Sequence, residues 1–95
     1  PATHLPLLVR IELRESEDEA ADRRRLSELV RLLNAAPGED ETRLILRTPR
    51  DDVELELPAI NLTEGLEARL KGVLHDFGSI TTLARAVPRS DLGAA

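Results

Sequence analysis

The sequence contains no cysteine, methionine, tryptophan or tyrosine, and its one aromatic residue is Phe77. Without cysteine the chain forms no disulfide and carries no thiolate, which fits a reducing cytoplasm. A single aromatic ring cannot build the platform on which single-stranded nucleic acids stack their bases. Because methionine is absent, residue 1 is not an encoded start, and we expect the chain to be a piece of a longer protein.

Long apolar runs and a basic surface are also missing. No run approaches the roughly 18 apolar residues of a membrane-spanning helix, and no signal peptide opens the chain. Thirteen basic against eighteen acidic residues give a net charge of −5. Nucleic-acid-binding domains usually carry a basic footprint. The 95 residues are therefore expected to form one cytoplasmic domain that binds neither membrane nor nucleic acid directly.

The first part of the chain predicts a strand and then a helix. Apolar and polar residues alternate from Leu7 to Arg14, as in a half-buried strand. A helix then runs to about Ala36, and Ser16 with Glu19 fits a capping box at its start. Its apolar stripe recurs at helical spacing and consists of Leu26, Leu29, Val30 and Leu33.

The middle of the chain predicts a tight corner and a hairpin. Pro37 and Gly38 end the helical pattern, and strands follow over Thr42–Thr48 and Val53–Leu57. Pairing Thr48 with Val53 places every leucine of the hairpin on one face, which we expect to point inward to the core. The same register sets Leu46 opposite Leu55 and Leu44 opposite Leu57, with Arg47 opposite Glu54, Ile45 opposite Glu56, and Arg43 diagonal to Glu56.

The last part predicts a second helix and a short strand. Pro58 ends the hairpin, Thr63 caps the helix and Gly78 closes it. Residues 79–86 favour a strand, although their alternation is poor. Residues 1–6 are interpreted as a linker remnant, residues 7–86 as the domain, and residues 87–95 as a fraying tail.

This order of elements, βαββαβ, predicts an α+β fold. Each strand has one apolar face and each helix one apolar stripe, so both helices can cover the same face of a four-stranded sheet. We expect a mainly antiparallel, ferredoxin-like sheet. A mixed sheet with a different strand order would produce the same pattern.

No catalytic, cofactor or metal site is evident. His4 and His75 have no partners at metal-ligand spacing, and the acidic groups at 15–19 and 51–56 fit caps and cross-strand pairs. Arg23, Arg24 and Arg25 form the densest basic run, but nearby carboxylates neutralise it. The chain contains neither a glycine-rich phosphate loop nor a serine in a nucleophile elbow.

Across residues 5–80 the pattern resembles the C-terminal region of the alpha subunit of bacterial DNA polymerase III, a family C replicative polymerase. That region has a strand, a helix ending in a Pro-Gly-Asp-like turn, a hairpin, and a helix opening on a Ser/Thr cap. The likeness rests on the turn Ala36-Pro37-Gly38-Glu39-Asp40 and the start Thr63-Glu64-Gly65-Leu66. It also rests on the apolar positions Leu7, Val9, Ile11, Leu13, Leu26, Leu29, Leu33, Leu44, Leu46, Val53, Leu55, Leu57, Leu70 and Leu74.

The resemblance implies a non-catalytic role. In that family the catalytic aspartates lie in a distant palm domain of the parent nucleotidyltransferase, and the C-terminal region docks the tau subunit of the clamp loader. No functional residue of the family can be carried over to a position here. We predict contact residues in the C-terminal part and on the charged sheet face, namely Leu8, Ile45, Leu83, Arg85 and Leu92.

A second function is compatible with the same pattern. Domains of βαββαβ order also serve as regulatory modules that bind small metabolites at a dimer edge. A homodimer therefore remains an alternative to docking on another protein.

Overall fold

The computed structural model describes residues 7–84. The predicted linker and tail, and the last two residues of the predicted domain, lie outside that range. The elements in chain order are β1 (Leu7–Arg14), α1 (Glu19–Asn34), β2 (Pro37–Arg47), β3 (Asp52–Ile60), α2 (Glu64–Leu74), a 3-10 turn (His75–Phe77) and β4 (Gly78–Ala84). The predicted βαββαβ order is confirmed.

The four strands form one mixed sheet in the order β3-β2-β1-β4. β1 and β2 run parallel at its centre, and β3 and β4 add antiparallel on the two outer sides. The expected mainly antiparallel sheet is therefore wrong, and the alternative of a mixed sheet describes the observed one. Adjacent parallel strands need a crossover connection, and α1 supplies it.

Both helices pack on the same face of the sheet, as predicted. Alternate residues of β1 point toward them, and Val9 and Ile11 are fully buried. Leu29 and Leu33 of α1 and Leu70 of α2 join the same cluster. Its remaining buried members are Leu13, Leu44, Ile60, Leu66 and Leu74. The interior is almost wholly aliphatic, as the composition requires.

The hairpin between β2 and β3 differs from the predicted register by two residues. Arg47 pairs with Asp52, and Leu46 pairs with Val53 rather than with Leu55. The cause is the turn: the Thr48 N–H donates to the Asp51 carbonyl at 3.1 Å. A shift of two residues keeps each side chain on its predicted face, so the hydrophobic pattern alone does not distinguish the two registers.

Three predicted element boundaries are also corrected. β2 begins at Pro37 instead of Thr42, so the residues predicted as a turn are the first residues of the strand. β3 continues past Pro58 to Ile60, which an edge strand permits because proline lacks only an N–H. α2 ends at Leu74, three residues earlier than predicted, and Gly78 begins β4 instead of closing the helix. The predicted Thr63 cap is confirmed, since its hydroxyl accepts from the Leu66 N–H at 3.1 Å.

The turn after α1 is fixed by a buried carboxylate. Asp40 is 1% exposed; its Oδ1 accepts from the Leu7 N–H and its Oδ2 from the Leu62 N–H, each at 2.9 Å. One side chain thus joins the start of β1, the start of β2 and the segment before α2. Gly38 lies so close to Asn61 that an added Cβ would sit 2.5 Å from its backbone nitrogen.

Removing the Asp40 carboxylate should destabilise the domain. In Asp40→Ala two amides lose their acceptors, and we expect the free energy of unfolding to fall by about 2–4 kcal/mol. Equilibrium unfolding in urea measures the loss. Glu39→Ala, at the exposed neighbouring position, is the control and should change the free energy by less than about 0.5 kcal/mol. Equal effects of the two variants would contradict this role of Asp40.

Two glycines should respond in opposite directions to substitution by alanine. An added Cβ at Gly78 would lie 2.2 Å from the Glu12 carbonyl oxygen, whereas Gly72 in α2 has nothing within 4 Å. Gly78→Ala should therefore lower the free energy of unfolding by at least about 2 kcal/mol. Gly72→Ala should raise it by about 0.5–1 kcal/mol, because alanine favours the helix. Thermal unfolding of both variants checks the signs, and a neutral Gly78→Ala would refute the close approach.

Candidate interaction surfaces

The residues that the structure describes bring together no group of side chains that could hold a metal ion. Over 7–84, no three His, Cys, Asp or Glu side chains converge on a point where they could hold an ion. His75 is exposed at the end of α2, and His4 lies outside the described range. No helix in 7–84 is both long enough and apolar enough to cross a membrane. The surfaces of the sheet and of α1 are therefore the places to look for binding.

The sheet face opposite the helices, called the charged face below, carries a network of ion pairs. It consists of Arg10, Glu12, Arg43, Arg47, Asp52, Glu54 and Glu56. Arg47 bridges two strands, with Nε at 2.9 Å from Glu12 and Nη1 at 3.0 Å from Asp52. Arg43 binds Glu54 of β3 at 2.9 Å. The predicted pairing of Arg47 with Glu54 is thus replaced by two other pairs.

These contacts fix the ionised state of one carboxylate. The hydrogen bond from Arg47 lowers the pKa of Glu12 below its ordinary value, against the opposing effect of partial burial. Charge attraction from Arg47 and Arg10 acts in the same direction as the hydrogen bond. Glu12 therefore stays charged at neutral pH and remains tied to its arginine.

Ile45, one of the predicted contact residues, lies at the centre of the charged face. It is only 4% exposed and does not belong to the main hydrophobic cluster. Glu12 and Glu54 flank it across the sheet, and Arg43 and Arg47 flank it along its strand. We attribute its burial to the aliphatic stems of these long side chains. Ile45 therefore offers little surface to a partner while the ion pairs persist.

Leu8 and Leu83 form an apolar pair on this face. They are direct cross-strand partners of β1 and β4, so their side chains lie next to each other. Leu83 is 52% exposed and Leu8 is half-buried. Two residues predicted separately as contacts are thus brought together. The other two predicted contacts, Arg85 and Leu92, lie outside the described residues.

The start of α1 is held differently from the predicted capping box. Asp18 is the cap, accepting from the Ala21 N–H at 3.0 Å. Ser16 instead donates its N–H and hydroxyl to the Asp22 carboxylate, at 2.9 and 2.7 Å. Arg25 also reaches Asp22 at 3.0 Å and lies over the Phe77 ring. One arginine of the basic run therefore has a structural role.

A cleft of about 240 Å³ opens between this helix start and the ends of β1 and β2. Its floor is apolar, formed by Leu13, Leu26 and Leu46. Its rim carries charges of both signs: Arg14, Glu15, Glu19, Asp22, Arg23 and Arg47. Because the rim charges oppose one another, the cleft has no strong preference for an anion or a cation.

The outer strand β3 exposes two apolar residues that were predicted to point into the core. Val53 is 43% and Leu55 is 40% exposed, although both face the side of the sheet that carries the helices. The two residues lie on the predicted face of the sheet, but the prediction that the core buries them is wrong. The helices cover the inner strands and the end of β3, where Ile60 is buried, but they do not cover the first part of β3. Only the strand order reveals this, and periodicity carries no such information.

The contacts of the Asp22 carboxylate with Ser16 and Arg25 predict that the stability of the domain depends on pH. Hydrogen bonding by Ser16 and the proximity of Arg25 lower the pKa of Asp22 below its ordinary value of 3.8. The ionised Asp22 therefore stabilises the domain fully above the pKa that it has in the unfolded chain. This stabilisation is lost as the pH falls through the lower pKa that it has in the folded chain. Asp22→Asn should cost about 1–2 kcal/mol at pH 7 and progressively less in acid.

Urea unfolding of the unaltered chain and of Asp22→Asn, from pH 7 to about pH 2, checks this expectation, since paired carboxylates can titrate that low. Glu17→Gln, at an exposed position in the same loop, should leave the whole profile unchanged. A cost for Asp22→Asn that stays constant across the range would contradict the role assigned to the charge.

Comparisons with known proteins add no assignment. The sequence matches no protein-family model, and no curated protein sequence matches it. A function has to be inferred from the surfaces above together with the resemblance seen in the sequence.

Proposed function

We propose that this domain is a non-catalytic docking module of a bacterial replicative DNA polymerase alpha subunit, and that it tethers the polymerase to the tau subunit of the clamp loader. The parent chain would supply the polymerase activity, and the domain would act in the cytoplasm through protein contact alone. No cofactor and no direct contact with nucleic acid are part of this proposal.

The exposed Leu83 is the observation that carries the docking role. It lies beside Leu8 on an outer strand, at the point where the chain continues toward Arg85 and Leu92. An apolar residue exposed singly on a surface is ordinary. A pair of apolar cross-strand partners, followed in the sequence by Arg85 and Leu92, is a better candidate for part of an interface.

The partner is proposed from the resemblance and not from this surface. The segment from Ala36 to Asp40, which is part of that resemblance, has a structural role here, since the Asp40 carboxylate accepts from the backbone amides of Leu7 and Leu62. That role leaves the tau-binding residues to be found among the exposed ones.

Titration of the 95-residue chain against purified tau subunits from several bacterial lineages tests the proposal. We expect binding with a dissociation constant below about 10 μM. Leu83→Ser should weaken it about tenfold, the change expected when a central apolar contact is lost. Leu55→Ser, also at an exposed leucine but on the opposite side of the sheet, is the matched control and should have little effect.

Absence of binding to every tau subunit at about 10 μM would count against the tether. The regulatory alternative would be favoured by a different result. Amino acids or nucleotides at a hundredfold excess over their dissociation constant would then stabilise the domain by about 2.7 kcal/mol and raise its melting temperature. The cleft below α1 is the place where such a ligand would be sought.

A further inference from the structure

The strand β3 is an outer edge of the sheet and has a partner on one side only within residues 7–84. It is nine residues long, and its first five residues, 52–56, are all exposed. Along the free side of such a strand, alternate residues direct their N–H and C=O groups outward, where another strand can pair with them.

The two rows of side chains on β3 differ sharply in chemistry. Val53 and Leu55 form an exposed apolar row on the side that carries the helices. Asp52, Glu54 and Glu56 form an acidic row on the charged face, with side chains 51%, 53% and 75% exposed. An incoming strand would meet carboxylates on one face and aliphatic groups on the other.

The features that usually protect a sheet edge are missing from this segment. Proteins discourage unwanted pairing with charged side chains (lysine above all), prolines or bulges along an outer strand. Residues 52–57 contain neither lysine nor proline, and their pairing with β2 is regular. Their charges are all acidic, so they oppose pairing with another acidic strand and not pairing with a basic one. Pro58 follows the segment, and the register shifts lie between Pro37 and Thr42, near the far end of the strand. A stretch of six residues is thus left open.

A second copy of the chain does not fit this edge. If residues 52–56 of two copies paired antiparallel along their whole length with the apolar rows on one face, Asp52 would oppose Glu56 and Glu54 would oppose its own copy. Like charges placed directly opposite each other destabilise a sheet. The neighbouring strand β2 illustrates what does fit, since Arg43 and Arg47 bind the acidic row while Leu44 and Leu46 continue the apolar one.

We propose that β3 binds an extended segment of another protein in which arginine or lysine alternates with aliphatic residues, so that the segment adds a fifth strand to the sheet. Backbone hydrogen bonds would hold the segment. The alternation would set its register and place its basic residues beside the acidic row and its aliphatic residues beside the apolar row. This inference goes beyond the tether proposed above, because it concerns the opposite edge of the sheet from Leu83 and does not depend on tau.

A synthetic peptide tests the inference directly. The probe is a capped peptide of alternating arginine and valine, titrated into the full chain while its backbone amide signals are followed by NMR. We expect shifts confined to residues 52–57 and the strands beside them, with slowed hydrogen exchange along β3. A peptide of the same composition with its arginines and valines in separate blocks should bind far more weakly. Equal binding of the two peptides, or shifts centred elsewhere, would overturn the proposal.

Two charge variants separate strand pairing from simple attraction between opposite charges. Glu56→Lys reverses one exposed carboxylate of the acidic row and should weaken binding about three- to tenfold. Glu17→Lys makes the same change of net charge in the loop before α1 and should leave the affinity unchanged. If both variants weaken binding equally, the peptide is held by net charge alone and the inference fails. The amide spectra of the free variants establish that each one is folded.

Discussion

The buried carboxylate of Asp40 is the contact on which the arrangement of the chain depends. Its two oxygens accept from backbone amides that lie 33 residues before it and 22 residues after it in the sequence. The Thr42 hydroxyl donates to the carbonyl of the same aspartate at 3.1 Å. A side chain with several obligatory partners tolerates only one mutual placement of its neighbours. It therefore fixes where β1 begins relative to β2 and to the segment leading into α2.

The residues just before Asp40 are also held close to the segment that leads into α2. The Asn61 N–H donates to the Ala36 carbonyl at 2.8 Å, so the end of α1 and the end of β3 are held together. Gly38 lies between them, where a side chain would collide with Asn61. The glycine and the aspartate of this segment thus serve folding. A resemblance based on them concerns architecture, and the residues that bind a partner must lie elsewhere.

The sequence predicts well those features that depend on periodicity. The alternation from Leu7 to Arg14 gives β1 with its observed bounds, and the spacing of Leu29 and Leu33 gives the buried stripe of α1. Strand order and register are set by contacts between distant segments, which periodicity does not encode. For this reason Leu55 was expected in the core and is exposed. Ile45 was expected on the surface and is buried by charged neighbours, because long side chains can shield an apolar group.

Charged and apolar residues on the surface of the sheet differ in how much they can contribute to the binding of a partner. Arg43 and Arg47 on the charged face already bind carboxylates of this domain, and a partner would have to break those contacts to use them. Exposed ion pairs contribute little on their own, so exchanging one for another gains little affinity. Removal of apolar surface from water is the larger available term. Within the described residues, the exposed large apolar side chains lie at the two edges of the sheet, at Leu83 on one side and at Val53 and Leu55 on the other. A partner that binds tightly would therefore approach an edge, and the charges beside that edge would select which partner fits.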